Sequence, residues 1–464
     1  MLNLPLQKCL VLLLLSCTTT FAQSADSLAH TLADKAEKLN NEKSLPFLDQ
    51  AFALCAQQGC ADSTIARLYQ RKSVAIYLAQ IDNDLSLIYT DSAIFFYEKA
   101  FGAERLITAN SYYNKGVILS SLGQYLAGKP CIEEAIQKLG SNTELPVAIT
   151  DSIRLNWGYQ LMKIERRLGD INTALQIGKD ILQSKYLFPR VESGVTATTG
   201  LIYHENRQHK KAIDTYSFFI GRHGNLFDLA ITENIGLSYL ALGQHGKAYD
   251  QLMKKHLFDI ARFENTSSNI FRIPLSNSHA NLLQFYLQTQ DWQQAEYHYS
   301  EALRLLLEVD NTGSRPRFAE IYFKKAKLEH ALGHYDSSLT FLAKAMEVVA
   351  PQLAETGVNE NITIIGPFKR VLEIIAFRAQ VLTSQGEYEA ALADVMLLNR
   401  LVTQSRRTYQ SSLSKYYLIQ EVMPVYELGI QLNQRLYGQT GDTKYLEQAY
   451  ALNARNKAIL LLES

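Results

Sequence analysis

The segment Glu233–Lys255, ENIGLSYLALGQHGKAYDQLMKK, carries the pattern that decides the fold of this chain. Small and bulky apolar residues recur in it at helical spacing, at Gly236, Tyr239, Ala248 and Leu252. Gly243 interrupts this pattern, and a glycine at the end of a helix supplies the positive φ that a tight turn needs. The segment therefore predicts two helices that run antiparallel from a turn at Gly243.

This helical hairpin recurs along the chain. Further copies contain YYNKGVILSSLGQYLAGKPCIEEAI, RRLGDINTALQIGKDIL, HENRQHKKAIDTYSFFI, LQTQDWQQAEYHYSEAL, HALGHYDSSLTFLAKAM and TSQGEYEAALADVMLLN. Small residues stand where two helix backbones would come closest, at Gly116, Gly128, Gly200, Gly236, Ala212, Ala248, Ala295 and Ala391. A single hairpin cannot bury both of its apolar faces, so the copies must stack into a continuous all-α solenoid.

The turn inside each copy is marked by one residue, in order Gly123, Gly169, Arg207, Gly243, Gln290, Gly333 and Gly386. The second helix is predicted to start at an aromatic residue or a histidine, at Tyr125, His245, Trp292, Tyr335 and Tyr388. The markers are spaced irregularly, by 36 to 53 residues, and two insertions at 256–277 and 351–370 are conspicuous. We expect both insertions to be loops rather than ordered excursions.

These segments resemble tetratricopeptide repeats over most of residues 64–400. The resemblance implies a right-handed α-solenoid of about seven or eight helix-turn-helix repeats. The spacing departs from the family's steady period of about 34 residues, and the family's helix-ending proline is mostly missing. Residues 23–63 are predicted to form a helical cap or a degenerate repeat.

In tetratricopeptide proteins the inner surface of the superhelix binds extended peptides or helices of partner proteins. The resemblance therefore implies protein or peptide partners for this chain. Exposed positions of the first helices are the candidate binding residues: Asn110, Tyr113, Ser120, His204 and Glu233.

The first 22 residues have the features of a secretory signal peptide. Lys8 precedes an apolar stretch that is too short to span a bilayer, and Thr20 and Ala22 are small residues at the −3 and −1 positions of a cleavage site. A periplasmic or secreted mature chain is predicted, and the FAQ ending resembles signal peptides of the Bacteroidota. Two alternatives stay open, an uncleaved anchor and a lipoprotein attached to the envelope through Cys17, because LLSC resembles a lipobox. No later window is long and apolar enough to predict a membrane span.

Three cysteines, Cys55, Cys60 and Cys131, lie beyond the signal segment. In an oxidising compartment Cys55 and Cys60 can close a small disulfide at a helix end, and two free thiols are the alternative. A zinc site would need more ligands nearby, so no metal site is predicted there. Cys131 is predicted to be a buried, inert thiol.

The charge balance excludes a general attraction to nucleic acids. Lys plus Arg and Asp plus Glu both number 46, so the formal net charge is zero and no nucleic-acid partner is expected. The basic cluster of Arg406, Arg407 and Lys415 is interpreted as a solvated helix face.

No catalytic or cofactor motif occurs in the sequence, so no enzyme activity and no cofactor are predicted. His330 and His334 have the i,i+4 spacing of a metal pair, but Gly333 places a turn between them. His298 in YHY is interpreted as inter-repeat packing. No metal site is predicted.

Residues 401–464 are predicted to form a C-terminal helical pair. TGDTKYLEQAYALNARNKAILLLES is similar to the last helical pair before the catalytic part of bacterial tetratricopeptide–CHAT proteins, which carry a caspase-like cysteine peptidase. The catalytic His and Cys of that family map to no position here. We expect a non-enzymatic scaffold for protein–protein interactions, or alternatively the regulatory front of a CHAT peptidase. A missing domain or another subunit is expected to cover Ile459–Leu462.

Overall fold

The secondary structure is helical throughout the described part of the chain, without strands. A computed structural model describes residues 25–39, 42–79, 82–141, 145–221, 225–266, 269–310, 316–351, 353, 368–406 and 412–461. The fold is an all-α, right-handed α-solenoid of tetratricopeptide-like helical hairpins. The chain divides into two compact units, Met1–Leu122 with Ala127–Gly158, and Gly123–Leu126 with Tyr159–Ser464.

The first unit contains the N-terminal helices. A helix over 25–39 (α1) and a short 3-10 turn, Glu42–Ser44, precede the longer helices. These are α2 (Leu45–Gln58), α3 (Asp62–Ala79), α4 (Asn83–Phe101), α5 (Leu106–Ser121) and α6 (Tyr125–Gly140). The helix α7 (Val147–Leu168) runs from the first unit into the second.

The second unit continues the hairpins. Its helices are α8 (Ile171–Leu182), α9 (Pro189–Glu205), α10 (His209–Ser217), α11 (Asn225–Ala241), α12 (His245–Thr266), α13 (Asn269–Thr289), α14 (Trp292–Leu307), α15 (Pro316–Ala331), α16 (Tyr335–Val349), α17 (Phe368–Gln385), α18 (Tyr388–Arg406), α19 (Ser412–Thr440) and α20 (Lys444–Leu461). The C-terminal helices share a core of buried apolar side chains that extends from α15 to α20. The helix α8 contacts α19, which is distant from it in sequence.

Aspartates start several of these helices by accepting a hydrogen bond from a free backbone amide in the first turn. The Leu85 amide donates to Asp82 Oδ1 over 2.9 Å, and the Gln294 amide donates to Asp291 Oδ1 over 3.1 Å. Asp170 caps α8 in the same way. Short polar side chains between the apolar runs therefore fix where these helices begin.

Close helix packing depends on the predicted small residues. A Cβ added at Gly116 would lie 2.5 Å from Ile132 Cδ1, and one added at Gly200 would lie 2.4 Å from the Tyr216 ring. Ala248, on the partner helix of Gly236, is fully buried. The prediction that small residues stand where the paired helices meet is confirmed.

The turn markers have the left-handed backbone expected of them. Positive φ angles occur at Gly123, Gly169, Arg207, Gly243, Gln290, Gly333 and Gly386. The second helices begin at the predicted residues, Tyr125, His245, Trp292, Tyr335 and Tyr388.

The prediction of a loop over 256–277 is wrong. The helix α12 continues to Thr266, and α13 begins at Asn269. The extension is helical because Lys255 pairs with Asp259 one turn further on and both side chains are buried against the neighbouring helices. Most of the second predicted loop, 351–370, lies outside the described residues, and α17 starts at Phe368.

Cys55 and Cys60 form a disulfide in the structure and are not free thiols. Cys55 lies in the last turn of α2, and its Cα is 5.0 Å from that of Cys60. Cys131 is half-buried rather than buried, because one side of α6 faces solvent there. Burial raises the pKa of the Cys131 thiol, which keeps it protonated and unreactive near neutral pH.

Candidate binding groove

The candidate residues of the first unit lie on α5. Tyr113 stacks on Trp157 with ring centroids 5.2 Å apart. Ser120 Oγ donates to the Gly116 carbonyl over 2.6 Å, and Asn110 is half-buried. Tyr113 and Ser120 therefore contribute to helix packing, and each remains partly accessible.

The candidate residues of the second unit are His204 on α9 and Glu233 on α11. His204 Nδ1 lies 2.9 Å from Ser238 Oγ, and burial, with the nearby His209, lowers the pKa of His204 to about 4. Glu233 accepts a hydrogen bond from the Asn281 side-chain amide, and burial raises its pKa. Both side chains are therefore half-buried and hydrogen-bonded between helices of the second unit.

A charged groove joins first helices that are distant in sequence. Arg166 Nη1 of α7 lies 2.5 Å from Glu205 Oε1 at the end of α9. Lys369 Nζ of α17 donates to the Glu205 backbone carbonyl over 3.2 Å. Burial disfavours the charged form of Glu205, but Arg166, Arg167 and Lys369 outweigh it and lower the pKa. Three first helices thus meet around one carboxylate.

Glu320 on α15 extends the same groove. Its Oε1 lies 2.9 Å from Lys324 Nζ, which also donates to the Ala280 carbonyl over 3.0 Å. Lys324, with Arg370 and Arg167, lowers the pKa of Glu320 to about 2 despite burial. The Glu320 side chain is nevertheless 45% exposed, so the groove admits water while protein surrounds it on several sides.

Cations in this groove repel one another. Arg166, together with burial, lowers the pKa of Arg167. Burial, Arg166 and Arg190 lower the pKa of Lys163 to about 8, and burial lowers that of Lys327. Among the described residues, the cations that interact here are Lys163, Arg166, Arg167, Arg190, Lys324, Lys327, Lys369 and Arg370, and the carboxylates are Glu205, Glu233, Glu320 and Glu373. The groove therefore carries a local excess of positive charge in a chain that is neutral overall.

Sequence reasoning missed this groove. The available signal was a pair of adjacent basic residues on each of two first helices, Arg166–Arg167 and Lys369–Arg370. Neither pair predicts a site alone, because basic pairs are common on solvated helix faces. The two pairs form one site only because the fold places α7, α9, α15 and α17 next to one another.

Three histidines in the second unit lie close enough together to bind one metal ion. His256, His279 and His298 are all buried, and their ligand atoms lie within 4.8 Å of one another. His298 also stacks on Tyr286, in agreement with the predicted packing role. Within the described residues, no other group of three or more His, Cys, Asp or Glu side chains is arranged to hold a metal ion.

The predicted turn histidines have other partners. His330 Nε2 lies 3.0 Å from Ser384 Oγ, and His334 Nδ1 lies 3.0 Å from Glu329 Oε2. His334 directly precedes α16, so Gly333 separates the two histidines as predicted.

Several predictions fall on parts that the structure does not describe. They concern the signal peptide over 1–22 with Cys17, residue Arg407, and the side chains of Arg406, Lys415 and Ile459–Leu462. None of the described helices combines the length and the apolar character needed to cross a bilayer.

Known proteins support the repeat assignment. Residues 109–137, which cover most of α5 and α6, match the family model of the tetratricopeptide repeat. No curated protein matches the chain.

Solved structures resemble this chain at low sequence identity. A Rap protein complexed with competence and sporulation factor has a TM-score of 0.50 and 12% identity, over 85% of this chain and 97% of that chain. The apo form of RapI has a TM-score of 0.40 and 11% identity, over 85% and 98%. A tetratricopeptide repeat protein from Parabacteroides merdae has a TM-score of 0.35 and 15% identity, over 68% and 98%.

Proposed function

We propose that this chain is an exported tetratricopeptide scaffold that binds an acidic, extended segment of a partner protein, without catalytic activity of its own. The binding site is the groove of the second unit, formed by α7, α9, α15 and α17. The observation that carries the proposal is the excess of cations in that groove. Arg167 is exposed to solvent at this place, and Arg166 beside it is the main cause of its lowered pKa.

An acidic ligand would relieve an unfavourable arrangement of charge. The repulsion between Arg166 and Arg167 is present in the free protein, and a ligand carboxylate between them and Arg370 would offset it. Arginine is suited to this role because its planar guanidinium can bind a carboxylate with two parallel hydrogen bonds. The Rap protein with the same fold was solved with competence and sporulation factor bound, which supports partner binding by a solenoid of this type.

The first test uses labelled peptides of about ten residues, one rich in glutamate and one with glutamine in its place. We expect the acidic peptide to bind and its affinity to fall with added salt, because the attraction is electrostatic. Charge reversal in Arg167→Glu or Arg370→Glu should weaken binding at least about tenfold. Lys179→Glu is the matched control, because Lys179 is an exposed cation on α8 outside the interacting set.

Two results would reject the groove as the binding site. One is equal affinity for the acidic and the glutamine peptide. The other is equal weakening of peptide binding by Lys179→Glu and Arg167→Glu, which would indicate a general charge effect. Once the acidic preference is established, capture from an envelope fraction with wild type and Arg167→Glu in parallel identifies the natural partner.

Export of the chain is supported by the pattern of residues 1–22 and by the disulfide between Cys55 and Cys60, because disulfides persist in oxidising compartments. Mass spectrometry of the chain purified from its host should show an N-terminus at Gln23. A lipid-modified N-terminal cysteine at Cys17 would instead establish the lipoprotein. Fractionation with the cytoplasm and retention of Met1 would reject export.

The regulatory part of a CHAT peptidase stays a prediction, based on the sequence of the C-terminal helical pair. The nucleotide sequence that follows the codon of Ser464 tests it. A continuous or frameshifted reading frame for a strand-rich domain with His and Cys would support this alternative, and unrelated sequence would exclude it.

A further inference from the structure

Three buried histidines from consecutive helices meet in the second unit. His256 lies on α12, His279 on α13 and His298 on α14, and each is only 5–6% exposed. Their rings are 4.5 Å (His256 to His279), 5.0 Å (His279 to His298) and 5.7 Å (His256 to His298) apart, measured between centroids. One potential ligand atom of each residue lies within 4.8 Å of those of the other two.

The nitrogen positions are close to those of a three-histidine metal site. His279 Nδ1 and His298 Nδ1 are 2.8 Å apart, so the two rings share one proton in a hydrogen bond. Ligand nitrogens of a tetrahedral zinc ion are about 3.3 Å apart, given Zn–N distances of about 2.0–2.1 Å. A shift of about half an ångström, with the shared proton moved to the far ring nitrogen, would open this pair for an ion.

A neighbouring hydroxyl orients the third ring. Ser278 Oγ donates to the Leu275 carbonyl over 2.9 Å and lies 2.9 Å from His256 Nδ1. With its proton used in that bond, the hydroxyl accepts from the Nδ1–H of His256 and leaves a lone pair on Nε2. Such an outer hydrogen bond is a regular feature of metal-ligating histidines, since it fixes the tautomer and the ring orientation.

Two pairs of opposite charges lie beside the histidines. Asp259 is the carboxylate near His256, and Glu301 is the carboxylate near His298. The nearby cations are already paired, since Lys255 contacts Asp259 and Arg304 Nη2 lies 2.8 Å from Glu301 Oε2. The charged groups beside the histidines therefore balance, and imidazole nitrogens remain as the groups that can bind a metal.

We propose that His256, His279 and His298 bind one divalent transition-metal ion of the zinc class, which joins α12, α13 and α14. This proposal departs from the expectation that the chain has no metal site. Imidazole ligands favour zinc, copper, nickel and iron over magnesium and calcium, and three protein ligands leave a fourth position for water or another donor. The ion would link two consecutive hairpins at the point where α12 is extended.

The test begins with the full mature chain freed of metal by a chelator that is then removed. Titration calorimetry with zinc chloride should show one tight equivalent per chain, and the thermal midpoint should rise with the zinc concentration. Cobalt chloride is the spectroscopic probe, because Co²⁺ in a tetrahedral site absorbs strongly in the visible range. Absence of a one-to-one zinc complex, together with absence of that cobalt absorption, would overturn the proposal.

Variants localise the ion. His279→Asn and His298→Asn should each lower zinc affinity by at least about 100-fold, since each removes a ligand. His204→Asn is the matched control: His204 is also held by a serine hydroxyl and lies beside another histidine, His209, but within the described residues the two belong to no group of three metal-binding side chains. Equal zinc affinity in His279→Asn and wild type would overturn the proposal. Should a variant fail to fold, the stoichiometry and the cobalt spectrum of wild type and His204→Asn still decide it.

Discussion

Two residues occupy a backbone conformation that glycine adopts at the equivalent turns. Arg207 and Gln290 both have φ of 59°, whereas Gly243 and Gly333 have 70° and 79° at the same place in their hairpins. A side chain in this left-handed region costs roughly 1–2 kcal/mol, because Cβ approaches the following carbonyl oxygen. The repeat geometry therefore imposes the same turn on residues that do not favour it.

Replacing Gln290 with glycine should stabilise the chain. Gln290→Gly removes the Cβ conflict at the turn, and we expect a gain of about 0.5–1 kcal/mol after the greater unfolded-state entropy of glycine is counted. Gln293→Gly is the control, because Gln293 is exposed in the first turn of α14, where glycine should destabilise by a few tenths of a kcal/mol. Denaturant unfolding of both variants checks the opposite signs, and destabilisation by Gln290→Gly would refute the strain.

Replacing Gly200 with alanine should destabilise the α9–α10 hairpin. The added Cβ would lie 2.4 Å from the ring of Tyr216, which is fully buried and cannot move aside, so we expect a loss of about 1–3 kcal/mol. Gly246→Ala is the control, because a Cβ there meets nothing within 4 Å on α12. Thermal unfolding should separate the two variants, and equal midpoints would contradict the close packing at Gly200.

At the scale of elements, the disulfide closes a short loop at the end of α2. Cys55 and Cys60 are five positions apart, and the Gly59 amide donates to the Cys55 carbonyl over 2.9 Å. A loop of this length should stabilise the chain by about 2 kcal/mol through the unfolded state. We expect the Cys55→Ser/Cys60→Ser double variant to lose that amount in denaturant unfolding. A reducing agent should destabilise wild type and leave the double variant unchanged; an equal effect on both would place its action elsewhere.

Helix starts and turns were predictable because a few adjacent residues determine them. Gly243 forms a turn two residues before the helix that starts at His245, and Gly333 does the same before Tyr335. The extension of α12 was not predictable in this way. Lys255 and Asp259 stabilise it from within, but the burial that holds His256 comes from α13 and α14.

The groove and the histidine cluster could not be predicted, because their residues are far apart in the sequence. His204 and Glu233 were predicted on the inner face because they occupy exposed positions of first helices. The cation excess around Arg167 and the three-histidine cluster arise where separate hairpins meet, and no local spacing of residues encodes them.

At the scale of the whole molecule, the groove should make the stability of the fold fall at low pH. The pKa of Glu320 in the folded chain, about 2, lies below its ordinary value of 4.5, so its charged form stabilises the fold above about pH 4.5. That contribution is lost as the pH falls from 4.5 towards 2. Glu320→Gln should therefore lower the thermal midpoint at neutral pH and show a smaller further loss over that range.

The control for this pH series is Glu264→Gln, which removes an exposed carboxylate of α12. Thermal midpoints of wild type and both variants between pH 7 and pH 2, at one salt concentration, give the comparison. If Glu320→Gln and wild type lose stability in parallel below pH 4.5, the carboxylate in the groove does not contribute as argued.

The contact of Lys369 with the backbone of Glu205 also changes the way in which the second unit can come apart. In an open repeat array each hairpin touches only its neighbours, so the ends can unravel one repeat at a time. Here the bond spans 164 positions, and α8 touches α19, so each end of the second unit is held by the other. Assembly must close a long loop before these contacts form, which slows folding, and the same closure opposes progressive unzipping afterwards. The array thus gains the cooperativity of a globular domain from a contact between its distant turns.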